Sequence, residues 1–147
     1  SAPYVEIEGT YVVRDDSPTQ QVADLDRPGV RIAVGRGAAY DLFLSRALQH
    51  ARIERADTSA AAIALFDQQR LDAAAGVRQP LQAWAAQHPG HRVLADRFTA
   101  IAQAVAAPAA RPADALQALF AEVDAIRATT LLAEAFERAG QQVTLLR

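Results

Sequence analysis

The sequence predicts an α/β fold, with a mainly parallel sheet flanked by helices and two further helices at the C-terminus. Three observations lead there. Short apolar runs alternate with helical runs between residues 29 and 107. Glycine or proline breaks stand at most of the junctions. After Pro108 the alternation stops, and two helical patterns follow one another. Strands alternating with helices form βαβ units, and right-handed crossovers place the helices on both faces of parallel strands.

The elements follow in order. Residues 4–13 alternate weakly and end in Tyr11-Val12-Val13, which is β-type composition. Arg14-Asp15-Asp16-Ser17-Pro18 is a turn, and 22–28 is a polar connector. Gly29-Val30-Arg31-Ile32-Ala33-Val34 is a short strand that runs into the tight turn Gly35-Arg36-Gly37. Residues 38–50 read as a helix with Tyr40, Phe43, Leu44 and Ala47 on one face. Asp41 lies in its first turn and Arg46 in its last, which suits the helix dipole.

The unit then recurs. Residues 52–56 form a strand, and Asp57-Thr58-Ser59 caps a helix carrying Ile63, Leu65 and Phe66. Residues 71–75 form a strand ending at Gly76. Pro80 opens a helix whose Leu81, Trp84 and Ala85 share a face, and Pro89-Gly90 stops it. Residues 92–94 and 101–107 are two more strands. Residues 112–127 carry Leu116, Leu119, Phe120, Val123 and Ile126 at helical spacing. Thr129 or Thr130 caps a last helix with Leu131, Leu132 and Phe136, ended by Gly140, and 143–146 is an apolar tail.

Composition narrows the function classes. At 147 residues the chain holds one domain with a hydrophobic core, with room for a short appendage. A net charge of −2 favours neither nucleic acid nor an anionic membrane as partner. All fifteen basic residues are arginine, which reads as coding bias. Without Cys, disulfides and thiolate metal sites are excluded. Without Met, the chain reads as processed or as a piece of something longer. No apolar run approaches the ~20 residues that span a bilayer.

Little in the sequence points to bond chemistry. His50, His88 and His91 have no ligand spacing, since Pro89-Gly90 breaks the helix between the last two. There is no Gly-x-Ser-x-Gly elbow and no phosphate-binding Gly-Lys-Ser or Gly-Lys-Thr. No catalytic residue, metal or cofactor is expected. The strongest local feature is Val34-Gly35-Arg36-Gly37-Ala38-Ala39-Tyr40, a strand, glycine turn and helix start. Free N–H groups at a helix start and the helix dipole favour an anion, and Arg36 adds a planar cation suited to a carboxylate. The same glycines also serve a tight βα turn with no ligand at all. A dinucleotide fingerprint fits less well, because Tyr40 stands where a small residue is needed. A second feature is Leu71-Asp72-Ala73-Ala74-Ala75-Gly76-Val77-Arg78, which puts Arg78 just beyond a small-residue strand. The candidate ligand contacts are thus Arg36, Gly37, Ala38, Ala39, Thr58, Val77 and Arg78.

Several segments together resemble a family. Ala2-Pro3-Tyr4, Gly9-Thr10-Tyr11-Val12-Val13-Arg14 and Ser17-Pro18 look like the first crossing strand of type 2 periplasmic solute-binding proteins, especially the amino-acid-binding group. Val22-Ala23-Asp24-Leu25 and Gly29-Val30-Arg31-Ile32-Ala33-Val34 resemble the connector and first strand of that family's second lobe. Gly37 and its helix resemble the ligand-holding turn, and Leu71-Asp72-Ala73 a frequent strand motif. Residues 101–108 resemble the second crossing strand, and the last two helices the C-terminal pair. The resemblance implies a ligand-binding lobe with crossing strands over residues 1–107 and a helical appendage over 108–147, with the first lobe missing.

It further implies a periplasmic protein that binds a small molecule, hands it to ABC transporter membrane subunits, and is not an enzyme. Two departures bear on the ligand. Ala38 and Ala39 stand where the family commonly has Thr or Ser, and Val77-Arg78 stand near its ammonium-holding Asp. Two arginines near the cleft instead favour an anionic ligand. A sensory or regulatory domain of the same fold, and a dehydratase-like enzyme on this scaffold, remain alternatives. The apolar stripes of the last two helices make a homodimer through them an expectation as well.

Overall fold

The computed structural model describes residues 1–141 and 143–146. Its strands are β1 (Val5–Arg14), β2 (Arg31–Gly35), β3 (Arg52–Ala56), β4 (Ala73–Val77), β5 (His91–Val93), β6 (Thr99–Gln103) and β7 (Thr144–Leu145). Its helices are α1 (Ala39–Ala47), α2 (Ser59–Gln68), α3 (Arg78–Gln87), α4 (Ala113–Arg127) and α5 (Leu131–Arg138). A 3-10 turn covers Val22–Leu25. Two compact units emerge, Glu8–Ala100 and the pair of segments Ser1–Ile7 and Ile101–Arg147. The chain passes between them within β1 and just inside β6.

In Glu8–Ala100 the strands lie in the order β3-β2-β4-β1-β5. β2 runs parallel to both β3 and β4, as βαβ units require. β1 runs against β4 and β5 and lies between them, and it is covered on both faces, by α1 on one and by α2 and α3 on the other. That is why Tyr11, Val12 and Val13 form a continuous apolar run, where a half-exposed strand would alternate with polar residues.

Alternation along the strands divides the core in two. Tyr11, Val13, Ile32, Val34, Ala73 and Ala75 face α1, whose Tyr40 and Leu44 are buried against them. Val12, Ala33 and Ala74 face the other way, onto Ala62, Ile63 and Phe66 of α2 and Leu81 of α3. The small side chains of β4 admit close helices: a Cβ on Gly76 would lie 3.1 Å from Leu81. α3 starts at Arg78, two residues ahead of Pro80. Proline is tolerated in a first turn, where backbone N–H groups have no intrahelical partner.

In the other unit, β1 pairs with β7 through Val5 with Leu145 and Glu6 with Thr144. The Tyr4 N–H donates to the Gln103 carbonyl at 2.9 Å. The Ser1 ammonium and hydroxyl both hold Val105, at 3.0 Å each. β6 ends at Gln103, so residues 104–107 continue the expected strand as irregular chain. Pro112 is the N-cap of α4, and Gly140 at φ +65° ends α5. No residue of α4 or α5 is buried.

Candidate functional site

The three parallel strands end at one edge. Register sets Gly35 beside Ala56 and Ala33 beside Ala74, so the chains leaving β2, β3 and β4 emerge together. The order β3-β2-β4 puts the turn 35–38 between Thr58 on one side and Val77-Arg78 on the other. The antiparallel β1 brings Glu8 to the same edge, since Gly9 pairs with Val77. All seven sequence-predicted contacts thus lie on the carboxyl edge of the parallel strands, where ligands of open α/β sheets bind.

The turn is fixed from below. The Arg36 N–H donates to the Ala56 carbonyl at 2.8 Å and extends the β2–β3 ladder by one bond. A Cβ on Gly35 would meet the Ser59 backbone nitrogen at 2.8 Å, so this glycine lets β2 touch the start of α2. Gly37 serves differently. Its φ of +72° is the left-handed region, and nothing lies within 4 Å of a Cβ there. Tyr40 is buried in the first turn of α1, its hydroxyl bonded to the Ser59 hydroxyl. It fills the place that a dinucleotide site keeps small.

Two expected contacts turn inward. The Gly37 N–H donates to Asp41 Oδ2 at 2.8 Å, and Asp41 also receives Arg55 at 3.0 Å and the Ser45 hydroxyl at 3.2 Å. Burial pushes the Asp41 carboxyl up. The Gly37 N–H, Arg55 and Ser45 outweigh it and hold the group below the usual carboxylate range. Arg78 is likewise engaged: Nε on Glu8, Nη1 on the Leu94 carbonyl at 2.8 Å, and Nη2 on the carbonyls of Ala95 and Asp96 at 3.0 Å. Only 16% of its side chain is exposed. Arg78 ties β1, β4 and the chain after β5 together, so its guanidinium has little left for a ligand. The Thr58 hydroxyl accepts the Ala61 N–H at 3.0 Å, as an N-cap.

What remains open lies on the turn. The side chain of Arg36 is 63% exposed, and its nearest anion, the almost fully exposed Asp57, is 3.9 Å away. Ala39 is exposed in the first turn of α1, and the Ala38 N–H makes a long 3.3 Å bond to the Gly35 carbonyl. Sequence reasoning missed the anchoring carboxylates. Asp41 was legible only as a dipole partner of α1. Glu8, which also holds Arg97 at 3.1 Å, belongs to no motif that the sequence offers. Among the described residues, no three His, Cys, Asp or Glu side chains gather to hold a metal, and no helix is long and apolar enough to cross a membrane.

No family model matches the chain, and no curated protein matches it. Solved structures do. An ancestral arginine-binding protein bound to glutamine is similar at TM-score 0.79 and 17% identity, over 94% of this chain and 61% of its own. The solute receptor for L-cysteine of Neisseria gonorrhoeae is similar at TM-score 0.75 and 24% identity, over 92% of this chain and 55% of its own. An ancestral amino acid-binding protein, a precursor of cyclohexadienyl dehydratase, is similar at TM-score 0.56 and 26% identity, over 67% and 42%. The chain spans less than two thirds of each of these structures. It carries part of the type 2 periplasmic solute-binding fold, in the form that amino-acid-binding proteins have it.

Proposed function

We propose that the chain is a ligand-gripping part of a solute-binding component, recognising a small polar, anionic or amino-acid-like molecule without changing its bonds. The observation that carries this reading is the carboxyl edge, where three βα turns converge around an exposed arginine at a helix start. With the Gly37 amide committed to Asp41, the anion's donors are the amides of Ala38 and Ala39 and the Arg36 guanidinium. Thr58 and Val77 border the site, and Arg78 supports it from beneath. In this reading the protein works in the periplasm and delivers its ligand to the membrane subunits of an ABC transporter. A second copy of the chain, meeting it through α4 and α5, is the further partner proposed.

Calorimetric titration with amino acids and small di-acids tests the site. Arg36→Ala weakens an anionic ligand by about 1–3 kcal/mol if the pair is desolvated. Unchanged affinity removes Arg36 from the site. The same reading expects no turnover. One observation favours a second reading, a dehydratase-like enzyme: one similar structure is a precursor of cyclohexadienyl dehydratase. Conversion of a prephenate-like acid by the purified, metal-free chain establishes that alternative and overturns the first. A sensory domain of the same fold binds in the same way, and its gene carries an output module.

A further inference from the structure

On the α2 face of the sheet, away from the carboxyl edge, aromatic and titratable side chains gather around Trp84. His88 stacks on its indole at 4.1 Å between centroids, and His91 meets it edge-on at 4.8 Å. Phe66 packs against both Trp84 and His91. The two ring nitrogens of His91 have unequal surroundings. Nδ1 lies 3.0 Å from the His88 carbonyl oxygen, and Nε2 is buried without a hydrogen bond, 3.5 Å from Asp67 Oδ1. A carbonyl oxygen only accepts, so Nδ1 carries the proton in the neutral ring. Nε2 then turns a lone pair toward a carboxylate. Two acceptors face each other across 3.5 Å, and the ring is 11% exposed, so water cannot fully intervene.

One added proton reverses the sign of that contact. Protonated at Nε2, His91 becomes a charged donor aimed at Asp67, and both nitrogens then donate. We propose that His91 and Asp67 form a proton-operated latch that fastens the start of β5 to the last turn of α2. The charged and titratable groups facing His91 come from three elements. Asp67 on α2 favours the proton. Arg14, its cross-strand neighbour on β1 with its guanidinium 5.3 Å over Phe66, opposes it. His88, at the end of α3, donates its own Nδ1 proton to the Trp84 carbonyl at 2.7 Å and fixes the ring that His91 abuts. The latch closes on acidification and is independent of ligand at the carboxyl edge.

Nitrogen-15 NMR of the imidazoles in the full chain tests it, with Asp67→Asn as the variant. Asp67 is half exposed on its side chain, so the variant keeps the fold. In the parent at high pH, His91 shows the Nδ1–H tautomer. The variant binds its proton at His91 at least threefold more weakly than the parent. Acidification raises the protection of the Gln68 and Gln69 amides, taken relative to their intrinsic exchange at each pH, in the parent and leaves that protection unchanged in the variant. A dominant Nε2–H tautomer at high pH, an equal proton affinity in both chains, or equal exchange in both would each overturn the proposal.

Discussion

Glu8–Ala100 and the unit formed by Ser1–Ile7 and Ile101–Arg147 use the same kinds of residue and bury them differently. In the first, both faces of the sheet are covered and two clusters of apolar side chains are buried, with Leu42 on the outer face of α1 left exposed. In the second, Val5 is the one buried hydrophobic among the described residues, and Leu119, Ile126 and Leu131 are open to solvent. Yet α4 carries an apolar stripe, Leu116, Leu119, Phe120, Val123 and Ile126, at helical spacing. The difference teaches that periodicity forecasts which face a helix would bury, and neighbours decide whether it does. Open surface grooves of about 140 Å³ beside Tyr4, Val123 and Ile126, and about 250 Å³ beside Pro108, Leu116 and Leu119, indent that unit.

The largest test of this contrast is a pair of truncations. Phe66→Ala removes a fully buried ring and should cost about 3–5 kcal/mol. Phe120→Ala, on α4, should cost less, about 1–2 kcal/mol, because its ring is only partly buried. Urea unfolding of both variants decides. Equal losses would mean that the second unit is as tightly packed as the first.

The next contrast is between two arginines at the carboxyl edge. Arg78→Ala leaves Glu8 with Arg97 alone and takes a donor from the carbonyls of Leu94, Ala95 and Asp96, and should lower stability by about 1–3 kcal/mol. Arg36→Ala should change stability by less than about 0.5 kcal/mol, since its ion pair is long and exposed. A neutral Arg78→Ala would return that guanidinium to the list of ligand contacts. Two glycines make a smaller contrast. Gly35→Ala drives a methyl into the Ser59 backbone and should cost about 1–3 kcal/mol, read as a thermal shift. Gly37→Ala meets only its own left-handed φ and should cost about 1 kcal/mol.

Much of this was legible in the sequence. The strand Arg52–Ala56 was read at its true bounds, and the turn Gly35-Arg36-Gly37 was placed at a strand end leading into a helix, because apolar runs and glycines act locally. The convergence of Arg36, Thr58 and Val77 followed from βαβ topology. The pairing of β1 was not legible, since antiparallel contact with β4 and β5 joins residues far apart in the chain. The same applies to the site's charges. Arg78 and Glu8 are 70 residues apart, so their pairing left no local signal, and Arg78 alone read as a ligand contact. The Trp84, His88 and His91 cluster was hidden because Pro89-Gly90 ends the helix, and the rings meet only through the turn back into β5.

The finest test concerns acid. Asp41 accepts the Gly37 N–H and Arg55 within the covered unit, and its folded carboxyl is held below the usual range although burial alone would raise it. A group depressed on folding contributes stability at pH values above its unfolded value, near 4, and loses it as pH falls through the folded value. Asp41→Asn therefore destabilises the chain at neutral pH. The gap between parent and variant closes below about pH 4, where the parent's own carboxyl takes up its proton. Asp114→Asn, on the exposed first turn of α4, supplies the control from the other unit. Denaturant titrations from pH 7 to pH 2.5 measure both. A parent–variant gap that stays constant over that range would show that Asp41 acts through shape, with its charge irrelevant. The turn that presents Arg36 would then be held by packing against α1, and its geometry would survive acid.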